Sequence, residues 1–135
     1  MNPMIIIDFE VKTYDIDFAG VVSNLVYVRW LEDLRMSYLS SAMSLEALVA
    51  QKLFPTLVHT AINYRGPVRF PDHVRGEMRL VETGKTSLTL EAVFRSLRTG
   101  DVVADARQVG LILDANTGRP ALVPKEILGL MTENA

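Results

Sequence analysis

The sequence predicts an α+β domain, one antiparallel sheet with a single long apolar helix lying against it. Three observations carry this. A period-two run opens the chain, a 3.6-period stripe of large apolar residues follows, and most of the remainder alternates in period two between compact glycine turns. The 135 residues suit one domain spanning 1–135, and no repeat, linker or low-complexity stretch divides them.

Taken in order, residues 5–13 set Ile5, Ile7, Phe9 and Val11 on one side and Ile6, Asp8, Glu10 and Lys12 on the other, the pattern of a half-buried strand. The segment Tyr14-Asp15-Ile16-Asp17-Phe18-Ala19-Gly20 breaks that alternation. Beyond it Tyr27, Trp30, Leu31, Leu34 and Tyr38 fall at i, i+3, i+4, i+7 and i+11, one face of a long helix. Ser23 or Asn24 is suited to cap its start. Arg29, Glu32 and Asp33 lie off the stripe, and Arg29 with Asp33 predicts an i,i+4 ion pair of roughly 0.3–0.5 kcal/mol. Residues 21–28 are apolar around much of the circumference, so this helix is expected to be largely enclosed. A shorter helix is expected around 45–50.

From Phe54 onward the chain reads as about four strands in consecutive hairpins. Thr83-Gly84-Lys85 and Thr99-Gly100-Asp101 are compact glycine turns between β-rich runs. The run 86–97 sets Leu88, Leu90, Ala92 and Phe94 facing one way. The run 102–113 places Val109, Leu111 and Leu113 on one side. Asp114 through Pro120 reads as a turn, and Pro124 opens a last helix striped by Ile127, Leu128 and Met131.

Composition excludes several classes of function. A net charge of −2 and no run of Lys or Arg leave no footprint for nucleic acid. With no cysteine there is no disulfide, thiolate nucleophile or zinc–thiolate site. His59 and His73 are far apart in sequence and lack a close set of carboxylates, so no metal site is expected. The longest apolar run near the start, Met4 to Ile7, is far short of a signal peptide or of the ~20 residues a membrane span needs. A soluble, cytoplasmic protein is the expectation.

The break between the first strand and the long helix is where chemistry is concentrated. The first N–H groups of a helix have no intrahelical partner, and the helix dipole is positive there. A carboxylate at that junction, Asp17, suits a nucleophile or general base rather than a general acid, and nearby N–H groups can face an oxygen that becomes negative. Gly20 would let the backbone approach a bound group closely.

Asp15-Ile16-Asp17-Phe18-Ala19-Gly20-Val21-Val22, followed by Tyr27, resembles the active-site signature D-x-D-x-x-G-[VI]-V-x-x-x-x-Y of the 4-hydroxybenzoyl-CoA thioesterase family of hotdog proteins. Tyr64-Arg65-Gly66-Pro67-Val68-Arg69 with Asp72 is similar to the family's Y-x-x-P-x-R-x-x-D strand region. Leu113-Asp114, Thr117-Gly118-Arg119-Pro120 and Pro124-Lys125-Glu126-Ile127 are similar to its final strand, turn and helix. The resemblance covers nearly the whole chain. It implies a hotdog fold, a five-stranded antiparallel sheet wrapped around one long central helix, and an enzyme that hydrolyses acyl- or aroyl-CoA thioesters.

Asp17 then matches the catalytic carboxylate, and the backbone N–H at Asn24 matches the donor that polarises the thioester carbonyl. Tyr27 contributes to the wall of an acyl pocket. Many bacterial acyl-CoA relatives carry His where this chain has Asn24, and Thr13 stands where a Tyr is often found. Asn24 donates a hydrogen bond but takes no proton, so Asp17 is the one obvious acid–base group. Gly84-Lys85-Thr86-Ser87 echoes the end of a phosphate loop, but Arg79 stands where that motif needs glycine. By the resemblance Lys85, Thr86 and Ser87 hold coenzyme A phosphates, with Arg65, Arg69 and Arg75 adding charge. No cofactor is implied, since coenzyme A arrives as part of the substrate. The partners implied are the acyl-CoA and further copies of the chain, in a homodimer or homotetramer. A thioesterase for acyl groups on a carrier protein, or a catalytically silent acyl-CoA-binding subunit, fits the same motifs. So does either role of Asp17, nucleophile or general base.

Overall fold

The computed structural model describes residues 2–132. Strand β1 (Ile5–Glu10) leads through a 3-10 turn (Thr13–Asp15) to the long helix α1 (Asn24–Ala42) and the short helix α2 (Leu45–Ala50). Strands β2 (Leu53–Tyr64), β3 (His73–Thr83), β4 (Ser87–Ser96) and β5 (Val102–Asp114) follow, and α3 (Lys125–Thr132) closes the chain. All five strands form one antiparallel sheet in the order β1-β3-β4-β5-β2. This is the expected hotdog architecture.

The periodicities become layers. The stripe Tyr27, Trp30, Leu31, Leu34 and Tyr38 is wholly buried against the inner face of the sheet. Ile5, Ile7, Phe9 and Val11 alternate inward from β1, and Leu88, Leu90, Ala92 and Phe94 inward from β4. Helix and sheet approach closely at Gly76, where a Cβ would sit 2.9 Å from both Leu34 Cδ1 and Phe9 Cε2. Any side chain there overpacks the core. Ser23 is the N-cap of α1, its hydroxyl accepting from the N–H of Leu25 at 3.3 Å.

Three expectations need correction. The strands do not follow one another as a run of hairpins. β3-β4 and β4-β5 are hairpins, but β2 crosses to the far edge and pairs with β5. Its connection to β3 carries Pro67 and Pro71, which lack the N–H a ladder needs. Val109, Leu111 and Leu113 do share one side of β5, its half-buried outer face, and the residues on the buried side are Ala104, Ala106, Gln108 and Ile112. Second, the start of α1 is not enclosed: Leu25 is 72% and Val28 45% exposed, because one sheet covers only one side of a helix. Third, Arg29 and Asp33 form no ion pair; Arg35 and Glu32 do, at i,i+3. Two long exposed side chains gain little from a contact in water, so a favourable spacing does not by itself make the pair.

Both edges of the sheet are open in the single chain. On the β2 edge Val58 is 56% and Phe54 45% exposed. An apolar, unpaired edge of this kind invites another strand.

Candidate active site

The segment between β1 and α1 is built by its own side chains. Asp15 is buried, its Oδ2 accepting from the N–H of Lys12 at 2.8 Å and its carbonyl from the N–H of Ser23 at 2.9 Å. It therefore ties the end of β1 to the start of α1. Between these anchors Ile16 and Val22 bridge antiparallel, leaving residues 17–21 as a tight loop. Val22 donates to the carbonyl of Val68 at 2.8 Å, which fastens the loop to the segment after β2.

Asp17 sits exposed on that loop. Its Oδ1 accepts from the N–H of Ala19 at 2.8 Å, which aims the carboxylate, and Oδ2 has no partner among the described residues. Gly20 closes the turn by donating to the Asp17 carbonyl at 3.0 Å with φ +79°. Nothing in the chain lies within 4 Å of a Cβ built there, and the positive φ is a backbone conformation that glycine adopts freely. A few residues on, the N–H of Asn24, first residue of α1, has no partner among the described residues. An unpaired carboxylate oxygen and an unpaired N–H at the positive end of a 19-residue helix share one junction.

A cleft of about 300 Å³ opens beside it, lined by Val21, Val22, Asn24, Tyr27, Tyr64 and residues 65–68. Asp17 is not part of that lining, but its N–H donates to the carbonyl of the lining residue Val21 at 2.9 Å. Tyr27 packs edge-on against Tyr64, Trp30 and Phe94, and burial pushes its phenol up to about 12, which keeps it neutral. Tyr64 donates to the carbonyl of Asn24 at 3.3 Å, holding β2 to the start of the helix.

The cationic residues do not converge in one chain. Arg65 lines the cleft and a neighbouring one of about 490 Å³, yet it is bound to Asp105. That contact raises the Arg65 guanidinium, and with Asn63 it holds the Asp105 carboxyl below its ordinary range. Arg69 is exposed and makes no ion pair among the described residues. Arg75 is committed elsewhere, to a two-pronged pair with Asp8 at 2.8 and 3.0 Å on exposed side chains of β3 and β1. Lys85, Thr86 and Ser87 sit in the β3-β4 turn. Ser87 is in register with Leu111 and so with Thr56, whereas Tyr64 is in register with Ala104. The turn is thus at the opposite end of the sheet from Asp17, about 23 Å along β5 at ~3.3 Å per residue. Among the described residues no group of three His, Asp or Glu is placed to hold a metal.

Sequence reasoning passed over Asp15 and Tyr64 as site residues. Asp15 lies three residues from Lys12, the spacing of a reciprocal cap, and that signal was available. The part played by Tyr64 needed the sheet order, which alone brings the end of β2 to Tyr27.

The profile of the thioesterase-like superfamily matches residues 11–130. The chain belongs to that superfamily. Among curated proteins it is similar to the long-chain acyl-CoA thioesterase FadM of Escherichia coli K-12, 27% identical over 118 residues, which is 87% of this chain and 89% of that one. Among solved structures it is similar to Slr0204, a 1,4-dihydroxy-2-naphthoyl-CoA thioesterase from Synechocystis. That likeness has a TM-score of 0.87 at 17% identity and covers 97% of each chain. SAV2348 of Staphylococcus aureus, solved in complex with CoA, has a TM-score of 0.90 at 12% identity, over 98% of this chain and 84% of its own. These two likenesses concern the fold. The family resemblance read from the three motifs agrees with the superfamily match.

Proposed function

We propose that this member of the superfamily hydrolyses acyl- or aroyl-CoA thioesters to the free acid and coenzyme A, with Asp17 as the catalytic carboxylate. The observation that carries the reading is the pairing, at one helix start, of the open Asp17 Oδ2 with the unpaired N–H of Asn24. Thioester hydrolysis requires both. The carboxylate adds to the carbonyl carbon, or takes a proton from the water that does, while the carbonyl oxygen becomes an oxyanion held by the Asn24 N–H. Collapse breaks the C–S bond, the coenzyme A thiolate leaves and takes a proton, and water supplies the second oxygen of the acid. No cofactor is needed, and the expected compartment is the cytoplasm. Free-thiol release from a panel of short, long and aromatic acyl-CoAs tests the reading; a chain inert on every ester is the silent acyl-CoA-binding subunit instead.

The working unit of the proposal is a dimer joined along the β2 edge. Antiparallel pairing of two β2 strands sets the Leu53 end of one beside the Tyr64 end of the other. The Lys85 turn of one copy then lies at the end of the sheet that holds Asp17 of the other. It also covers Val58 and the bare flank of α1. Light scattering is expected to show two or four chain masses; an active species at 15.1 kDa rules the dimer out.

Lys85→Glu is expected to raise KM for acyl-CoA much more than it lowers kcat. The phosphates of coenzyme A lie far from the thioester, so a contact to them holds ground state and transition state alike. Screening acts over about 8–10 Å at ordinary ionic strength, so added salt narrows the gap between variant and wild type. An acyl-pantetheine, which lacks the nucleotide, is expected to be unaffected. An unchanged KM for the full CoA ester makes Lys85 a turn residue and a carrier protein the better acyl donor.

A further inference from the structure

Asp15 is the one buried acidic residue among the described residues, 6% exposed, and no step of the proposed hydrolysis uses its side chain. A buried carboxyl group costs free energy unless it is hydrogen-bonded. Here the bonds run across the 3-10 turn in both directions. The Asp15 Oδ2 accepts from the N–H of Lys12 at 2.8 Å, and the Asp15 N–H donates to the carbonyl of Lys12 at 3.0 Å.

Both groups of the proposed site are referred to this residue. Asp17 follows it by two positions, and the backbone of Asp17 is held by the bond from its N–H to the Val21 carbonyl. The Asp15 carbonyl accepts from the N–H of Ser23 at 2.9 Å, and Ser23 directly precedes the unpaired N–H of Asn24. Between the two, Ile16 is bridged to Val22. Asp17 and Asn24 are separated by a loop whose residues 17–20 are exposed, so the loop is not held by packing. Pinning the Asp15 side chain to Lys12 restrains the turn, and with it the direction in which the Asp15 carbonyl meets Ser23.

We propose that Asp15 is a positioning residue for the hydrolysis, its buried carboxyl group setting the separation between the Asp17 carboxylate and the Asn24 N–H. The inference rests on the acyl-CoA thioesterase reading and deepens it. Attack on the carbonyl carbon and capture of its oxygen need both groups in place at once, and a misplacement of about 1 Å can cost ~100-fold in rate. That separation matters to the transition state and little to the bound ester, so its loss falls on kcat rather than on binding.

The test measures thiol release from decanoyl-CoA and benzoyl-CoA, and titrates S-decyl-CoA and S-benzyl-CoA, thioethers that cannot be hydrolysed. Asp15→Ala is expected to lower kcat by about 10- to 100-fold, and to bind the thioethers with wild-type stoichiometry and little change in Kd. Asp15→Asn keeps an acceptor oxygen for the Lys12 N–H and is expected to recover most of the lost kcat. Added to Asp17→Asn, where the carboxylate is already gone, Asp15→Ala is expected to cost less than about threefold more, because the two residues act as a unit. If Asp15→Ala does not fold, Asp15→Ser carries the test. Its hydroxyl is a weaker cap, and a several-fold loss of kcat is expected that again vanishes beside Asp17→Asn. A folded variant with kcat within about twofold of wild type overturns the inference and leaves Asp15 a structural residue only. So does loss of thioether binding in step with kcat, or an equal loss with and without Asp17. A wild type inert on every CoA ester overturns the thioesterase reading and this inference with it.

Discussion

Asp17→Asn is expected to lower kcat for thioester hydrolysis by roughly 10²–10⁴, the span typical of a positioned acid–base group, while the fold stays unchanged. The local geometry separates the two effects. The amide oxygen of Asn keeps the bond from the Ala19 N–H, so the 17–21 loop and the Ile16–Val22 bridge retain their anchor. What is lost is the second oxygen, the one without a partner, replaced by an NH₂ that neither attacks a carbonyl nor accepts a proton from water. Asn24 keeps its N–H in the variant, so oxyanion stabilisation persists and a residual rate is expected. KM should change little, because Asp17 is not part of the lining of the cleft. Thiol-release kinetics with an unchanged circular dichroism spectrum and unfolding midpoint check this. Turnover near the wild-type value removes Asp17 from the mechanism.

Phe94→Ala is expected to destabilise the fold by about 3–5 kcal/mol, as for other buried aromatic truncations. Phe94 is fully buried on β4, its ring 5.3 Å from that of Tyr27 and 6.0 Å from that of Trp30. It is also one of the atoms' neighbours that leave no room for a Cβ at Gly76. Helix and sheet are already at their closest there, so neither can move in to fill the hole, and the cavity term adds to the lost burial. Leu111→Ala on the half-buried outer face of β5 is the control, expected to cost much less. Urea unfolding of both variants at one protein concentration compares them, since assembly also shifts apparent stability. Equal midpoints for the two would mean that the inner face is not the core.

Most of the fold was legible in the residues. Ile5 to Val11 and Leu88 to Phe94 alternate because strand side chains point alternately to opposite faces, and Tyr27 to Tyr38 recurs because helical turns stack large residues on one side. Thr99-Gly100-Asp101 and the turn from Asp114 to Pro120 were legible for the same local reason. Gly100 and Gly118 adopt positive φ, and Asp114 accepts from the N–H groups of Asn116 and Thr117. The face of β5 was not legible: Val109, Leu111 and Leu113 are its bulkier residues, yet Ala104 and Ala106 face the helix.

For the site, the sequence by itself determined which groups stand at the start of α1: Asp17, Gly20, a cap at Ser23 or Asn24 and the N–H of Asn24, all within one short stretch. Neighbours in sequence are neighbours in space, so their chemistry was readable before any fold was known. Only the tertiary structure decided what faces them. It set Tyr64 against Tyr27, tied Arg65 to Asp105 and Arg75 to Asp8, and carried Lys85 to the far end of the sheet. Those outcomes follow from strand order and register. Sequence separation carries no information about which strand lies beside which, and a shift of one residue in register exchanges the two faces of a strand.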